Sequence, residues 1–182
     1  MWSGPLIDLT RRARDRLWLS PRDVWDKSRY WGLSTMRALI QRVSEAAVAV
    51  DSAITGQIER GLVVFLGVGR ADTQADAERL AQKIVRLRIF PDAQGKMNLS
   101  VTDIAGQLLI VSQFTLYANA SRGNRPSYTA AAPPEAAESL YESFVAACRA
   151  QGMYVATGIF QAHMQVRLVN DGPVTIMCDS ES

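Results

Sequence analysis

The spacing of apolar residues changes several times along this chain, and each change predicts an element. Arg37-Ala38-Leu39-Ile40-Gln41-Arg42-Val43 reads as a first strand, followed by two short, turn-bounded strands over Ala46 to Asp51 and Ile54 to Glu59. Gly61 to Val68 (GLVVFLGV) is a continuous apolar run suited to a central strand. The period then lengthens. With Asp72 or Thr73 as N-cap, Ala77, Leu80, Ala81, Ile84 and Leu87 recur at helical spacing until Pro91 forces an exit. Gln107 to Phe114 (QLLIVSQF) predicts another buried strand, and Ala118 to Ser127 a polar loop long enough to be functional. Pro133 and Pro134 open a second helix whose Ala137, Leu140, Tyr141, Phe144 and Cys148 share a stripe, with Gly152 closing it. Tyr154 to Gly158, Phe160 to Val169 and Val174 to Cys178 supply the closing strands.

The expected fold is therefore α/β of the α+β type. It is a single compact domain in which two main helices pack on a mixed or antiparallel β-sheet, or on a sheet curled like a barrel. A chain of 182 residues that is 48% hydrophobic can bury one substantial core and is short for two.

Composition divides the chain unevenly. All four tryptophans (Trp2, Trp18, Trp25, Trp31) and the cluster Arg11, Arg12, Arg14 and Arg16 fall in residues 1–35. That stretch holds seven of the 20 Lys/Arg and four of the 18 Asp/Glu, leaving 13 and 14 for the remainder. Residues 1–35 are expected to be an extension outside the fold: upstream sequence translated from a misplaced start with Met36 as the initiator, a flexible tail, or a basic tail that touches RNA. Residues 36–182 are expected to form the domain. The body is nearly neutral, so any nucleic-acid contact must come from a local patch. With no apolar run of about 18 residues and no signal-type N-terminus, no membrane partner is expected and the location is taken as cytoplasmic. Cys148 and Cys178 read as a reduced pair rather than a structural disulfide.

The catalytic inventory is sparse. One histidine and two distant cysteines make no metal constellation, and neither a metal nor another cofactor is expected. A Ser-His-Asp arrangement would have to recruit His163, which lies in the strand-like FQAHMQV, and no GxSxG elbow is present. Gly67-Val68-Gly69 lacks the third glycine and the lysine of a phosphate loop. Two segments stand out. Ser112-Gln113-Phe114-Thr115-Leu116 sets polar side chains at the end of a buried strand, where they either face a ligand or finish the strand by local hydrogen bonding. Asn170-Asp171-Gly172-Pro173-Val174-Thr175 combines a tight-turn signal with a proline that has no N–H to pair, either an ordinary turn or a backbone held in unusual geometry.

SQFTL together with NDGPVT resembles the D-aminoacyl-tRNA deacylase family, whose signatures are SQFTL and NxGPxT. The likeness extends from Met36 to about Cys178 and includes Lys96-Met97-Asn98-Leu99-Ser100-Val101 and Arg125-Pro126-Ser127. It implies a hydrolase acting on the ester between a D-amino acid, or glycine, and the 3′-terminal adenosine of tRNA. It also implies a homodimer with the active site at the interface. In that family Gly172-Pro173 is cis and enters the partner's site as a chirality filter, supported by Asn170 and Thr175. Ser112, Gln113, Phe114 and Thr115 become the catalytic set. The expected mechanism is attack by water assisted by the substrate 2′-hydroxyl, with N–H groups around Phe114 and Thr115 stabilising the oxyanion. Thr115 as nucleophile is the rival, although no base lies near it in sequence. Arg122, Arg125 and Lys96, with Arg88, are candidate tRNA contacts, and Phe114 or Tyr117 could stack on the adenine. A catalytically silent tRNA-binding dimer and a His163-dependent esterase stay open.

Overall fold

The computed structural model describes residues 35–121 and 123–181. The expected N-terminal extension, up to residue 34, and Arg122 lie outside the described residues. The element order is β1 (Arg37–Val50), β2 (Ala53–Ile58), β3 (Gly61–Gly67), α1 (Gln74–Val85), β4 (Phe90–Pro91), β5 (Met97–Leu99), β6 (Gln107–Ser112), a 3-10 turn (Phe114–Tyr117), α2 (Pro134–Ala150), β7 (Tyr154–Thr157) and β8 (Met164–Asp179).

β1 organises the sheet. Along one edge it pairs antiparallel with β3 through residues 37–43 and then with β2 through residues 46–50. Along the other edge it pairs with β8 over almost its whole length. β3, β6 and β7 continue as parallel neighbours, so the sheet is mixed. It curls until β2 approaches β7: a Cβ on Gly56 would lie 2.5 Å from the Thr157 carbonyl oxygen, a gap only glycine permits. The result is the expected barrel-like sheet, nearly closed, with two helices upon it.

The two faces of β3 explain why its sequence is apolar throughout. Leu62, Val64 and Leu66 join a core with Leu80 and Ile84 of α1 and Phe144 and Cys148 of α2. Val63 points the other way, into a second cluster with Val43, Val48, Ile58, Leu109 and Val111. Successive strand side chains face opposite sides, so a strand buried on both reads as one hydrophobic run. α1 begins at Thr73, whose N–H and hydroxyl both donate to Asp76 Oδ2 at 2.9 and 2.6 Å. α2 begins with Pro133 and Pro134 and is followed by Gly152 at φ +82°, the arrangement expected at each end. Both cysteines are buried and free.

Several boundaries differ from expectation. The two strands expected over 37–43 and 46–51 are one, because β8 bridges the polar Ser44-Glu45 step with register shifts on either side of Val43. The turn expected at Asn170-Asp171-Gly172 is the bulged middle of the single strand β8, and residues 160–163 precede that strand rather than belong to it. The helix expected to run to Pro91 ends at Val85, and the small β4–β5 hairpin follows. The strand expected through Phe114 stops at Ser112, and the chain turns into the 3-10 segment. Among the described residues, no helix is long and apolar enough to cross a membrane.

Candidate active site

The 3-10 turn sits where β6 leaves the sheet. Gln113 N–H donates to the Leu66 carbonyl at 2.7 Å, the last bond tying the chain to β3, and Leu116 N–H donates back to Gln113 at 3.2 Å. The first N–H groups of such a turn have no carbonyl behind them. Among the described residues, no hydrogen bond engages the N–H of Phe114 or Thr115.

Beside the turn lies a cleft of about 710 Å³, a volume that suits a small organic ligand. Ser112, Gln113 and Phe114 form one wall. Pro133, Pro134 and Tyr141 of α2 form another, with Tyr141 held by its hydroxyl donating to the Ile110 carbonyl at 2.8 Å. Residues 160–164, including His163, close the third side, and Arg70 and Tyr128 complete the rim. Phe114 is 59% exposed and meets Tyr128 edge to face, ring centroids 5.1 Å apart.

The sequence candidates divide accordingly. Ser112, Gln113 and Phe114 line the cleft, whereas Thr115 is not among its lining residues, and its Oγ1 accepts a hydrogen bond from Gln113 Nε2. An amide cannot take a proton from a hydroxyl in either orientation, so this partner does not activate Thr115. His163 is exposed and borders the cleft from the segment that leads into β8. Tyr117 cannot stack on a ligand: it is 3% exposed, its hydroxyl donates to the Thr35 carbonyl, and its ring lies under the Arg37 guanidinium at 4.4 Å. Arg125 is exposed in a loop closed by a two-bond bridge between Asn119 and Ser127. Lys96 is exposed on a separate element, the turn between β4 and β5, and Arg88 is tied to Asn98 there.

Sequence reasoning missed the support behind the turn. Arg37 Nη1 donates to the Leu116 carbonyl at 3.1 Å, bracing the 3-10 segment from β1. Tyr117 Oη reaches Asp72 Oδ2 at 3.4 Å, and Gly69 N–H donates to the same oxygen at 2.6 Å. Burial pushes the Asp72 carboxyl up to about 6, against the opposing pull of the Gly69 N–H. Burial, followed by the Asp72 charge, drives the Tyr117 hydroxyl upward as well.

The second signature forms its own closed unit. Asn170 Oδ1 accepts from Val174 N–H and Asn170 Nδ2 donates to Thr175 Oγ1, both at 2.9 Å. Gln41 Nε2 adds a bond to Thr175 Oγ1 at 3.1 Å. The Gly172–Pro173 peptide is cis, and both residues are exposed. Arg42, 7% exposed, fixes the segment from below: its Nε donates to the Asp171 carbonyl at 2.9 Å and lies 3.2 Å from Asp171 Oδ2, while Nη1 donates to the Ile89 carbonyl at 2.5 Å. Neither Gly172 nor Pro173 is among the residues that line the cleft.

A profile of the family described as D-Tyr-tRNA(Tyr) deacylase matches residues 39–179, a span that holds both signatures and every wall of the cleft. The chain belongs to that family. A D-aminoacyl-tRNA deacylase of Thermotoga petrophila is 60% identical over 145 residues, 80% of this chain and 97% of that protein. Among solved structures, a c-Myc DNA unwinding element binding protein is 41% identical, with a TM-score of 0.73 over 78% of this chain and 97% of that one. A probable eukaryotic D-amino acid tRNA deacylase shares the fold at 18% identity, with a TM-score of 0.70 over 80% of this chain and 99% of that one. The deacylase is thus a hydrolase, which sets aside a catalytically silent module.

Proposed function

We propose that this deacylase removes D-amino acids, and glycine, from the terminal adenosine of tRNA as a cytoplasmic homodimer. In this reading Gly172-Pro173 of each protomer enters the mouth of the other's cleft. The observation that carries it is the separation within one protomer: a cleft bordered by Ser112, Gln113 and Phe114, and an exposed backbone segment, braced by Arg42, that does not line it. A wall made of backbone rejects an L side chain by collision, and it ignores which D side chain points away from it. It cannot reject glycine, which has nothing to collide.

An aminoacyl ester is already activated, so oriented donors can suffice without a protein nucleophile. The N–H groups of Phe114 and Thr115 are the donors for the developing oxyanion, and water attacks with help from the ribose 2′-hydroxyl. Gln113 and Ser112 orient the substrate, Phe114 offers a face to the adenine, and Arg125, Arg122 and Lys96 meet tRNA phosphates. Residues 36–182 constitute the working domain. A second reading has one specific support: His163 borders the same cleft and could serve as a base. The test is hydrolysis of matched D-tyrosyl-, L-tyrosyl- and glycyl-tRNA by the full chain, together with its mass in solution. Cleavage of the D- and glycyl-esters, sparing of the L-ester and a dimeric mass are expected. L-ester cleavage at the D rate, or full D-selectivity in a monomer, refutes the filter, and loss of activity in His163→Ala favours the second reading.

A further inference from the structure

The cleft has an electrostatic bias that the roles proposed above leave unused. Among the described residues lining it there is no aspartate or glutamate, and Arg70 is the only lysine or arginine. Arg70 sits on a rigid stretch of chain. Its neighbour Gly69 bridges to Ala131, Ala132 N–H donates to the Val68 carbonyl at 2.9 Å, and Gly69 N–H is held by Asp72 at 2.6 Å. The guanidinium itself is aimed by a single bond, Nε to the Thr129 carbonyl at 2.6 Å. Among the described residues, neither Nη has a partner. A guanidinium anchored through Nε and open at both Nη atoms is a preorganised fork for a phosphate.

Its anchor identifies which phosphate. Thr129 follows Tyr128, whose ring forms the exposed pair with Phe114. The fork is therefore tied one residue from the aromatic face at the cleft's rim. A nucleotide presents the same two features close together, a flat base and a phosphate on its 5′ side.

We propose that Arg70 binds the phosphodiester on the 5′ side of the substrate's terminal adenosine. Arg70 is then a substrate-binding residue for the acceptor end of tRNA, distinct in role from the groups beside the ester. The proposal rests on the cleft being the site of ester hydrolysis.

The experiment compares the full-length wild type with Arg70→Gln and Arg70→Lys on two substrates, D-tyrosyl-tRNA and 3′-O-(D-tyrosyl)adenosine. Both carry the ester, and only the first carries the phosphate. In Arg70→Gln the ratio of kcat/KM for the tRNA to that for the adenosine ester should fall about tenfold, the lower end for a hydrogen bond to a charged group, with the change in KM rather than kcat. The slope of log KM against log salt should flatten by about 0.7, the amount expected when one phosphate of a single strand is no longer neutralised. Arg70→Lys should restore the slope and only part of the ratio. An unchanged ratio, whether both substrates suffer equally or neither does, overturns the proposal, since a residue that merely packs the wall would act on both. A wild type that cleaves neither ester overturns the underlying reading and this proposal with it.

Discussion

Replacing Gly172 with alanine sets a methyl group against a side chain that is not free to move. The backbone there has φ +131°, and a non-glycine residue in such a region costs about 1–3 kcal/mol. The new Cβ would lie 2.7 Å from Arg42 Nη2 and 2.9 Å from Val174 Cγ2. Arg42 is buried, and its other two nitrogens hold the Asp171 and Ile89 carbonyls. Displacing it weakens a charge-assisted bond by about 1 kcal/mol, a fraction of what such a bond contributes. Removing a glycine's freedom from the unfolded chain returns about 0.4–1 kcal/mol. The net cost is about 2–3 kcal/mol, which at this size lowers Tm by about 4–12 °C. Thermal unfolding of four proteins measures it: wild type, Gly172→Ala, Arg42→Met and the double variant. Arg42→Met removes Nη2, so Gly172→Ala should cost about 1 kcal/mol less in that background, a coupling of the size expected between touching residues. Equal costs in both backgrounds, or a single variant as stable as wild type, would refute the steric argument.

Arg42→Ala leaves the Ile89 and Asp171 carbonyls without their donor, and should lower stability by about 3–4 kcal/mol while raising L-ester cleavage, read by denaturant titration and by the D/L rate ratio. Thr115→Val should keep turnover on D-tyrosyl-tRNA within about tenfold, because the oxyanion donors proposed are main-chain groups; near-complete loss with tRNA binding retained would make Thr115 the nucleophile. Asp72 sets a pH dependence. Its carboxyl titrates at about 6 against an ordinary 3.8, so the stabilisation from protonation is fully present below about pH 4 and is lost as pH rises through 6. Discounted for its half-exposed position, wild type should be about 1 kcal/mol more stable at pH 5 than at pH 7.5 from this group, and Asp72→Asn should lose that difference. Arg125→Gln should weaken tRNA binding and flatten its salt dependence with the D/L ratio unchanged.

Much of the fold was legible because period and burial agree. The stripe from Ala77 to Ile84 and the unbroken apolar run of β3 each have one physical interpretation, and each forms as expected. The long strands were not legible. Ser44-Glu45 and Asn170-Asp171-Gly172 carry breaking residues, yet each strand continues because its partner supplies pairing across the bulge, a tertiary effect with no local trace. Ser112, Gln113 and Phe114 were found through one motif, whereas the walls from α2 and residues 160–164 were missed. Those walls come from segments distant in sequence whose members, such as Pro134 and Phe160, look like ordinary structural residues. Arg70 and Arg37 gave no signal because their partners are backbone carbonyls, which any residue can provide.

β1 works as a ruler. Arg37 reaches the 3-10 turn and Arg42 reaches the Gly172 segment, and both stand on the stretch of β1 that pairs in unbroken register with β3, about 17 Å apart at the usual rise. The two signature motifs, far apart in the chain, are thus gauged from one measuring edge. An inserted or deleted residue between Arg37 and Arg42 would leave each motif chemically intact, change the offset between them, and turn one arginine to the opposite face of the strand.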